Sequence, residues 1–536
     1  MPTAHVDGFA RESLPPAALQ PEFLFALPEL QFPAQLNCAA ELLDRHVAEG
    51  RGERPCLRTD TVTWTYAELQ RRANRVANVL VSEMGLVPGN RVLLRAPNTP
   101  MMVACWFGVI KAGGIAVATM PLLREVELRK VIAKACVTHA LCDVALAGEL
   151  DRALADASPA VTTRHFAADG TGSLDAAMRD VPETFTNVDT AADDTCLIAF
   201  TSGTTGHPKG TMHFHRDVMA ICACWPRHVL RPRADDVFIG SPPLAFTFGL
   251  GGLVLFPMSV GASSVLVEKP SPPVLLEQIA RHGATTCFTA PTTYRAMAPH
   301  AAALRGSALR QCVSAGEVLP ASTRALWKEA TGIELIDGIG ATEMLHIFIS
   351  ADEANARPGA TGTAVPGYVA AVVDDDGVPV PPGTVGRLAV KGPTGCRYLA
   401  DERQRDYVRN GWNLTGDAYV MDADGYFHYQ SRTDDMIISS GYNIAAPEVE
   451  DALLRHPAVA ECGVIGVADE ERGQLVKAFV VLREGHAASA ALACELQEFV
   501  KATIAPYKYP RAIEFRASMP RTETGKLQRF RLREPA

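Results

Sequence analysis

The sequence has no long block of like charge and no cysteine framework. Its 51 Lys+Arg against 60 Asp+Glu leave a formal charge of −9. That excess is spread along the chain, so nothing points to a nucleic-acid partner. The 13 cysteines are scattered from Cys38 to Cys494. An odd, irregularly spaced set excludes a disulfide scaffold and reads as reduced, mostly buried thiols. Met1 to Gln20 contains Asp7, Arg11 and Glu12 and no apolar run, so no secretory signal is expected. Charge is absent from Val237 to Val267, a length that would permit a membrane helix. Pro242, Pro243 and Pro257, with Gly249, Gly251, Gly252 and Gly261, are expected to break it. The expectation is therefore no membrane span, a buried cleft wall in that segment, and a cytoplasmic protein. Internal repeats and low-complexity tracts are missing as well.

What is present is a globular composition, 48% hydrophobic and 21% charged over 536 residues, enough for large cores. Thr65 and Glu68 have capping-box spacing ahead of Leu69, Ala73, Val76 and Leu80, which share one helical face. Val92 to Leu94 reads as a buried strand. A helix with Val103, Trp106, Phe107 and Ile110 inward follows, stopped by Gly113-Gly114, and then the strand Ile115 to Thr119. This order, repeated through Ala140 to Asp143 and Cys196 to Phe200, implies parallel strands covered by helices. From about residue 365 the texture turns antiparallel: Val372-Val373 and Leu388 to Val390 flank an Asp-Asp-Asp-Gly turn and Pro381-Pro382-Gly383. The last hundred residues alternate helix and strand on a smaller scale. The fold class expected is α/β: a large N-terminal domain of α/β subdomains plus an antiparallel region (1–431), a hinge (432–436) and a small, mobile α+β C-terminal domain (437–536).

The ten residues Thr201-Ser202-Gly203-Thr204-Thr205-Gly206-His207-Pro208-Lys209-Gly210 carry the most chemistry. They follow an apolar strand, at the carboxyl end where open α/β sheets bind ligands. Glycine backbone N–H groups, hydroxyls and a lysine are what a polyphosphate requires. The spacing is not that of a Walker A loop: Lys209 follows Pro208, and Gly210 stands where the magnesium-binding hydroxyl would be.

On this loop, and on Asp337-Gly338-Ile339-Gly340-Ala341-Thr342-Glu343, Leu414-Thr415-Gly416-Asp417, Arg432-Thr433-Asp434-Asp435 and Pro520-Arg521-Thr522-Glu523-Thr524-Gly525-Lys526 in order, the chain resembles the adenylate-forming enzymes. These include acyl- and aryl-CoA ligases, firefly-type luciferases and adenylation domains. The resemblance implies that Thr201, Ser202, Gly203, Thr204, Thr205 and Lys209 hold phosphate. It implies that Gly316, Glu317, Asp337, Gly338, Ile339, Asp417 and Arg432 hold adenine and ribose, and that Thr342 contacts the nucleotide. Glu343 would be the Mg2+ ligand and Lys526 the catalytic lysine at the carboxylate and α-phosphate. Asp434 would be the hinge, and Ser440 and Gly441 would border coenzyme A. The implied chemistry has two steps, formation of an acyl-adenylate from Mg-ATP and displacement of AMP by the thiol of coenzyme A, with no protein nucleophile.

Ser241-Pro-Pro-Leu-Ala-Phe-Thr-Phe-Gly-Leu250, Thr289 to Tyr294 and Ser314-Ala-Gly-Glu317 resemble the benzoate-CoA ligase branch. Leu36 to Leu43 and Met212 to Arg216 are similar to enzymes described as 2-aminobenzoate-CoA ligases. The implied acyl pocket is Phe246, Tyr294, Ala315, Ile339, Gly340 and His346, with a small aromatic carboxylic acid as substrate. His346 would meet an ortho-amino group. A medium-chain fatty acyl-CoA ligase and a stand-alone enzyme loading a carrier protein remain alternatives, and monomer and homodimer are both open. His213-x-His215, Cys222-x-Cys224 and His228 lack zinc spacing and read as a helix packed behind the loop. No Gly-x-Ser-x-Gly elbow occurs.

Overall fold

Alternation of strand and helix in the first part of the chain builds two sheets with parallel centres. The computed structural model describes residues 3–155, 160–201, 208–317, 319, 321–432, 437–444, 446–520 and 529–533. The first sheet runs Thr162–Phe166, His139–Asp143, Arg91–Arg95, Ile115–Thr119, Thr195–Thr201, Lys209–Phe214. Its strands are parallel up to the last, which returns antiparallel to Thr195–Thr201. The expected capping box starts the helix Tyr66–Ser82: the Thr65 hydroxyl accepts the Glu68 N–H (3.2 Å) and the Glu68 carboxylate accepts the Thr65 N–H (2.8 Å). The next helix, Pro100–Lys111, packs against it at Gly108, where a Cβ would lie 2.6 Å from Val76 Cγ1. Only glycine allows that approach.

The second sheet is ordered Thr363–Ala364, Ile347–Ser350, Leu335–Gly340, Gln311–Ser314, Thr286–Thr289, Val237–Gly240, Ser263–Val265, Pro55–Arg58, Thr63–Thr65. Its centre, from Leu335–Gly340 to Pro55–Arg58, is parallel. Central parallel strands are buried on both faces, which is why they read as apolar runs. The charge-free segment departs from expectation. Thr247–Leu250, the π-helical turn Gly251–Leu255 and Phe256–Val260 form one continuous helical stretch through Pro257. A π turn ahead of the proline shifts the hydrogen-bond ladder, so its missing N–H and its ring are accommodated. The stretch is buried, as expected. No helix among the described residues is long and apolar enough to cross a membrane.

The antiparallel region is Val369–Val373, Val385–Lys391, Trp412–Met421 and Phe427–Arg432, with the short Val408–Arg409 at its edge. The small C-terminal domain pairs Val459–Asp469 with Gly473–Leu482, adds the hairpin Ile437–Ser439/Tyr442–Ile444, and is covered by Ala446–Leu454 and Ala490–Thr503. It meets the first sheet's helices at a buried ionic cluster. Lys508 Nζ lies 2.7 Å from Glu448 and 3.3 Å from Glu127, and the Ala505 N–H donates to Glu127 (2.8 Å). Fold and sequence agree on a mixed α/β large domain followed by a small one.

Candidate active site

A cavity of about 1060 Å³ opens at the carboxyl ends of both parallel sheets and extends to the C-terminal domain. Thr201 ends its strand there, its Oγ1 buried without a partner among the described residues. Ser202, Gly203, Thr204 and Thr205 lie outside the described residues. Lys209 begins the return strand; its Nζ is 4.0 Å from Glu343 Oε1 and 5.0 Å above the Tyr398 ring. Glu343 is buried in the turn Thr342–Met344 and accepts a short hydrogen bond from the Tyr398 hydroxyl. Burial and the neighbouring carboxylate push the Tyr398 phenol well above its ordinary range, so it stays a donor. The Thr342 carbonyl is 2.8 Å from His213 Nε2. A buried carboxylate next in sequence to Thr342, which lines the cavity, offers a hard oxygen donor of the kind that fits Mg2+.

The Leu335–Gly340 strand brings Asp337 to Gly340 to the cavity wall. A Cβ on Gly338 would come within 2.8 Å of Ile347 Cγ2, and one on Gly340 within 2.8 Å of the His346 carbonyl. Asp337 Oδ1 is buried without a partner among the described residues, and burial pushes the carboxyl up to about 7. Ala315, Gly316 (φ +90°) and Glu317 follow the neighbouring strand. Glu317 accepts hydrogen bonds from the Thr292 N–H (3.3 Å) and hydroxyl (3.2 Å). Asp417 lies in Trp412–Met421, directly across from Arg432 in the antiparallel pair, and lines the cavity. Ser440 (φ +50°) and Gly441 (φ +79°), in the turn of the C-terminal hairpin, border the opposite side. Asp434 and Lys526 lie outside the described residues.

Of the expected acyl-pocket residues, Phe246, Ala315, Ile339, Gly340 and His346 line the cavity. Phe246 stands edge-on to Tyr442 with ring centroids 6.5 Å apart. His346 is buried against Phe256 (4.4 Å), Phe248 and Trp225. Neither ring nitrogen makes a well-formed hydrogen bond among the described residues; burial pulls the pKa down to about 3, and the Phe248 backbone opposes that only in part. The imidazole is therefore neutral, with a donor and an acceptor still to satisfy.

Tyr294 must be corrected. It points away from the cavity into the core, edge-on to Trp327, with its hydroxyl near the Cys287 (2.8 Å) and Val313 (3.1 Å) carbonyls. The helix Pro291–Met297 turns this face to the sheet and Thr292 to the site. Tyr294→Phe is accordingly expected to cost about 1–2 kcal/mol in stability, read by urea unfolding, without altering acid preference. A changed acid preference at unchanged stability would return Tyr294 to the pocket.

The histidines and cysteines near the loop split among different partners. His213 faces Thr342, and His228 meets Glu29 (3.0 Å). Sequence spacing missed Cys38, Cys196 and His215, all buried, whose ligand-type atoms lie within 4.8 Å of one another. It also missed Tyr398, Thr292 and Tyr442 around the site. No local pattern marks Tyr398, which reaches Glu343 from 55 residues away.

A mixed α/β domain with a phosphate-type loop, a carboxylate-lined cavity and a small C-terminal domain defines a nucleotide-using enzyme class, and comparison with known proteins agrees. Residues 44–398 match the family model described as AMP-binding enzyme, and 448–526 that described as AMP-binding enzyme C-terminal domain. The chain belongs to the AMP-binding enzyme family. It is 36% identical over 518 residues to a benzoate–CoA ligase of Thauera aromatica, covering 94% of this chain and 97% of that one. The structure of the anthranilate CoA ligase AuaEII in complex with anthranoyl-AMP is 34% identical with a TM-score of 0.72, covering 95% and 98%. The amide bond synthetase McbA of Marinactinospora thermotolerans is 29% identical with a TM-score of 0.83, covering 93% and 99%.

Proposed function

We propose that the protein is an ATP-dependent, AMP-forming aryl-CoA ligase acting on a small aromatic acid of the benzoate or 2-aminobenzoate kind. The observation that carries this is one cavity bordered by the phosphate-side residues Thr201 and Thr342, the ribose-side Asp417, the aromatic wall of Phe246 and His346, and Ser440-Gly441 of the small domain. Relatives and solved neighbours named for benzoate and anthranilate ligation support the acid class.

In the first step the acid's carboxylate attacks the α-phosphorus of ATP, pyrophosphate leaves, and an aryl-adenylate forms. The Thr201–Lys209 loop grips phosphate, Asp417 and Arg432 take the ribose, and Lys526 offsets charge at the reacting oxygens. Mg2+, held through Glu343, would neutralise phosphate charge. In the second step the thiol of coenzyme A reaches the acyl carbon past Ser440-Gly441, and AMP leaves.

The test is acid-dependent AMP release with Mg-ATP and coenzyme A, using benzoate, 2-aminobenzoate, hexanoate and no acid, each repeated without coenzyme A. Turnover with an aryl acid that requires coenzyme A is expected. Preference for hexanoate would overturn the aryl assignment. Turnover with amines replacing coenzyme A would favour the second reading, amide synthesis, which the likeness to McbA raises.

His346 is the proposed ring-selectivity group. A site with an unsatisfied imidazole prefers a ring substituent that can hydrogen-bond it. His346→Leu is expected to lower the 2-aminobenzoate-to-benzoate ratio of kcat/KM by about tenfold, on the order of one buried hydrogen bond. An unchanged ratio ends the idea.

A further inference from the structure

Glu317 is the carboxylate placed where the two domains meet over the cavity. Its Oε2 and Oε1 accept the Thr292 N–H and hydroxyl, 3.3 and 3.2 Å away. On its other side is the C-terminal hairpin turn: a Cβ on Gly441 would stand 3.6 Å from Glu317 Oε1 and 3.8 Å from Ala290 Cβ. Tyr442, the next residue, reaches the pocket aromatic Phe246. Glu317 therefore lies in the wall between Gly441, beside which the thiol enters, and the acyl pocket.

No described cation lies within ion-pair distance of Glu317. Charged and titratable groups lining the cavity on the elements around it are Arg295 on the Thr292 helix, Arg324 on the helix Ala321–Thr331 and paired with Glu334, Asp337 on the next strand, Tyr442 beyond Gly441, Glu471 and Arg472 on the C-terminal turn, and Glu448, Tyr507 and Lys508 of the small domain. Arg472 donates to the Ser440 hydroxyl (3.1 Å). Glu317 thus faces the cavity with the Thr292 helix on one side and the hairpin turn on the other.

Building on the aryl-CoA ligase reading, we propose that Glu317 is the general base of the second half-reaction, taking the proton of the coenzyme A thiol as sulfur attacks the aryl-adenylate. The S–H bond breaks, its proton moves to Glu317 Oε1, and the sulfur electron pair forms the S–C bond. The acyl C–O bond to AMP then breaks with its electron pair on the phosphate oxygen, and Glu317 returns its proton to water. A free aliphatic thiol titrates near about 8.5, so only a few per cent is thiolate at neutral pH. Burial pushes the Glu317 carboxyl up to about 7 in spite of the Thr292 hydrogen bonds, which suits it to receive that proton.

The test separates nucleophiles on the same adenylate. Enzyme-bound adenylate is made from the best acid of the AMP-release assay, then captured by coenzyme A or by hydroxylamine in single turnovers from about pH 5.5 to about pH 9. Hydroxylamine, held at a constant free-base concentration across the series, attacks as the neutral amine and needs no base to take a proton first, so any common loss divides out. In wild type the coenzyme A rate is expected to rise with pH through about 7. Glu317→Gln is expected to lower the coenzyme A/hydroxylamine rate ratio by about 10²–10³ and to move the rise towards the thiol's own value. Glu317→Asp should keep the rise near 7 at reduced rate, and serves if the Gln variant does not fold. A wild-type rise near 8.5, a Gln ratio within threefold of wild type, or identical pH profiles would overturn the assignment. Wild type that makes adenylate yet ignores coenzyme A overturns the ligase reading itself.

Discussion

Lys526→Ala is expected to lower acid-dependent ATP–pyrophosphate exchange by about 10²–10³, the usual cost of losing a charge-stabilising contact in a transition state. Capture of supplied aryl-adenylate by coenzyme A should fall less than about tenfold, because the α-phosphate has already been transferred. Two lysines at the site are engaged with other partners. Lys209 is directed at Glu343, 4.0 Å away, and at the Tyr398 ring. Lys508, although it lines the cavity, is held between Glu127 and Glu448. Lys526, inside the matched C-terminal segment 448–526, is the cation we propose for the reacting carboxylate. Equal losses in both half-reactions would contradict the assignment.

Local periodicity carried the parallel strands, the Thr65–Glu68 cap and the antiparallel texture after residue 365, because burial on two faces, a capping box and turn residues all leave their mark within a few positions. Pro257 misled because a proline in an apolar run reads as a stop. Whether a π turn can absorb it depends on what packs around it. Tyr294 misled for a related reason: Pro291–Met297 has one face to the core and one to the site, and Thr292 and Tyr294, two residues apart, lie on opposite faces, so spacing alone does not say which of them meets the cavity. The Tyr398–Glu343 contact and the Cys38–Cys196–His215 group join residues far apart in sequence, and no spacing rule sees such pairs. The site was readable as a set of motifs. Its partition into wall, pocket and core was not.

Glu343 allows the sharpest separation of charge from packing. It is 7% exposed, accepts the Tyr398 hydroxyl and faces Lys209. Glu343→Gln keeps the shape, and its amide oxygen still accepts from Tyr398. What disappears is the negative charge, leaving Lys209 without that partner and the proposed Mg2+ site without its carboxylate. ATP–pyrophosphate exchange is therefore expected to fall by about 10²–10³, with the Mg2+ concentration needed for half-maximal exchange rising. Tyr398→Phe removes only the group that orients the carboxylate, and a loss of about 10–100-fold follows. Titrating Mg2+ against exchange for both variants, with thermal melts alongside, distinguishes the causes. If Glu343→Gln exchanged pyrophosphate like wild type at equal Mg2+, Glu343 would be a buried structural carboxylate, and the metal would have to be held elsewhere in the cavity. If Tyr398→Phe instead lost more than Glu343→Gln, the phenol itself would be acting on the phosphate rather than through Glu343.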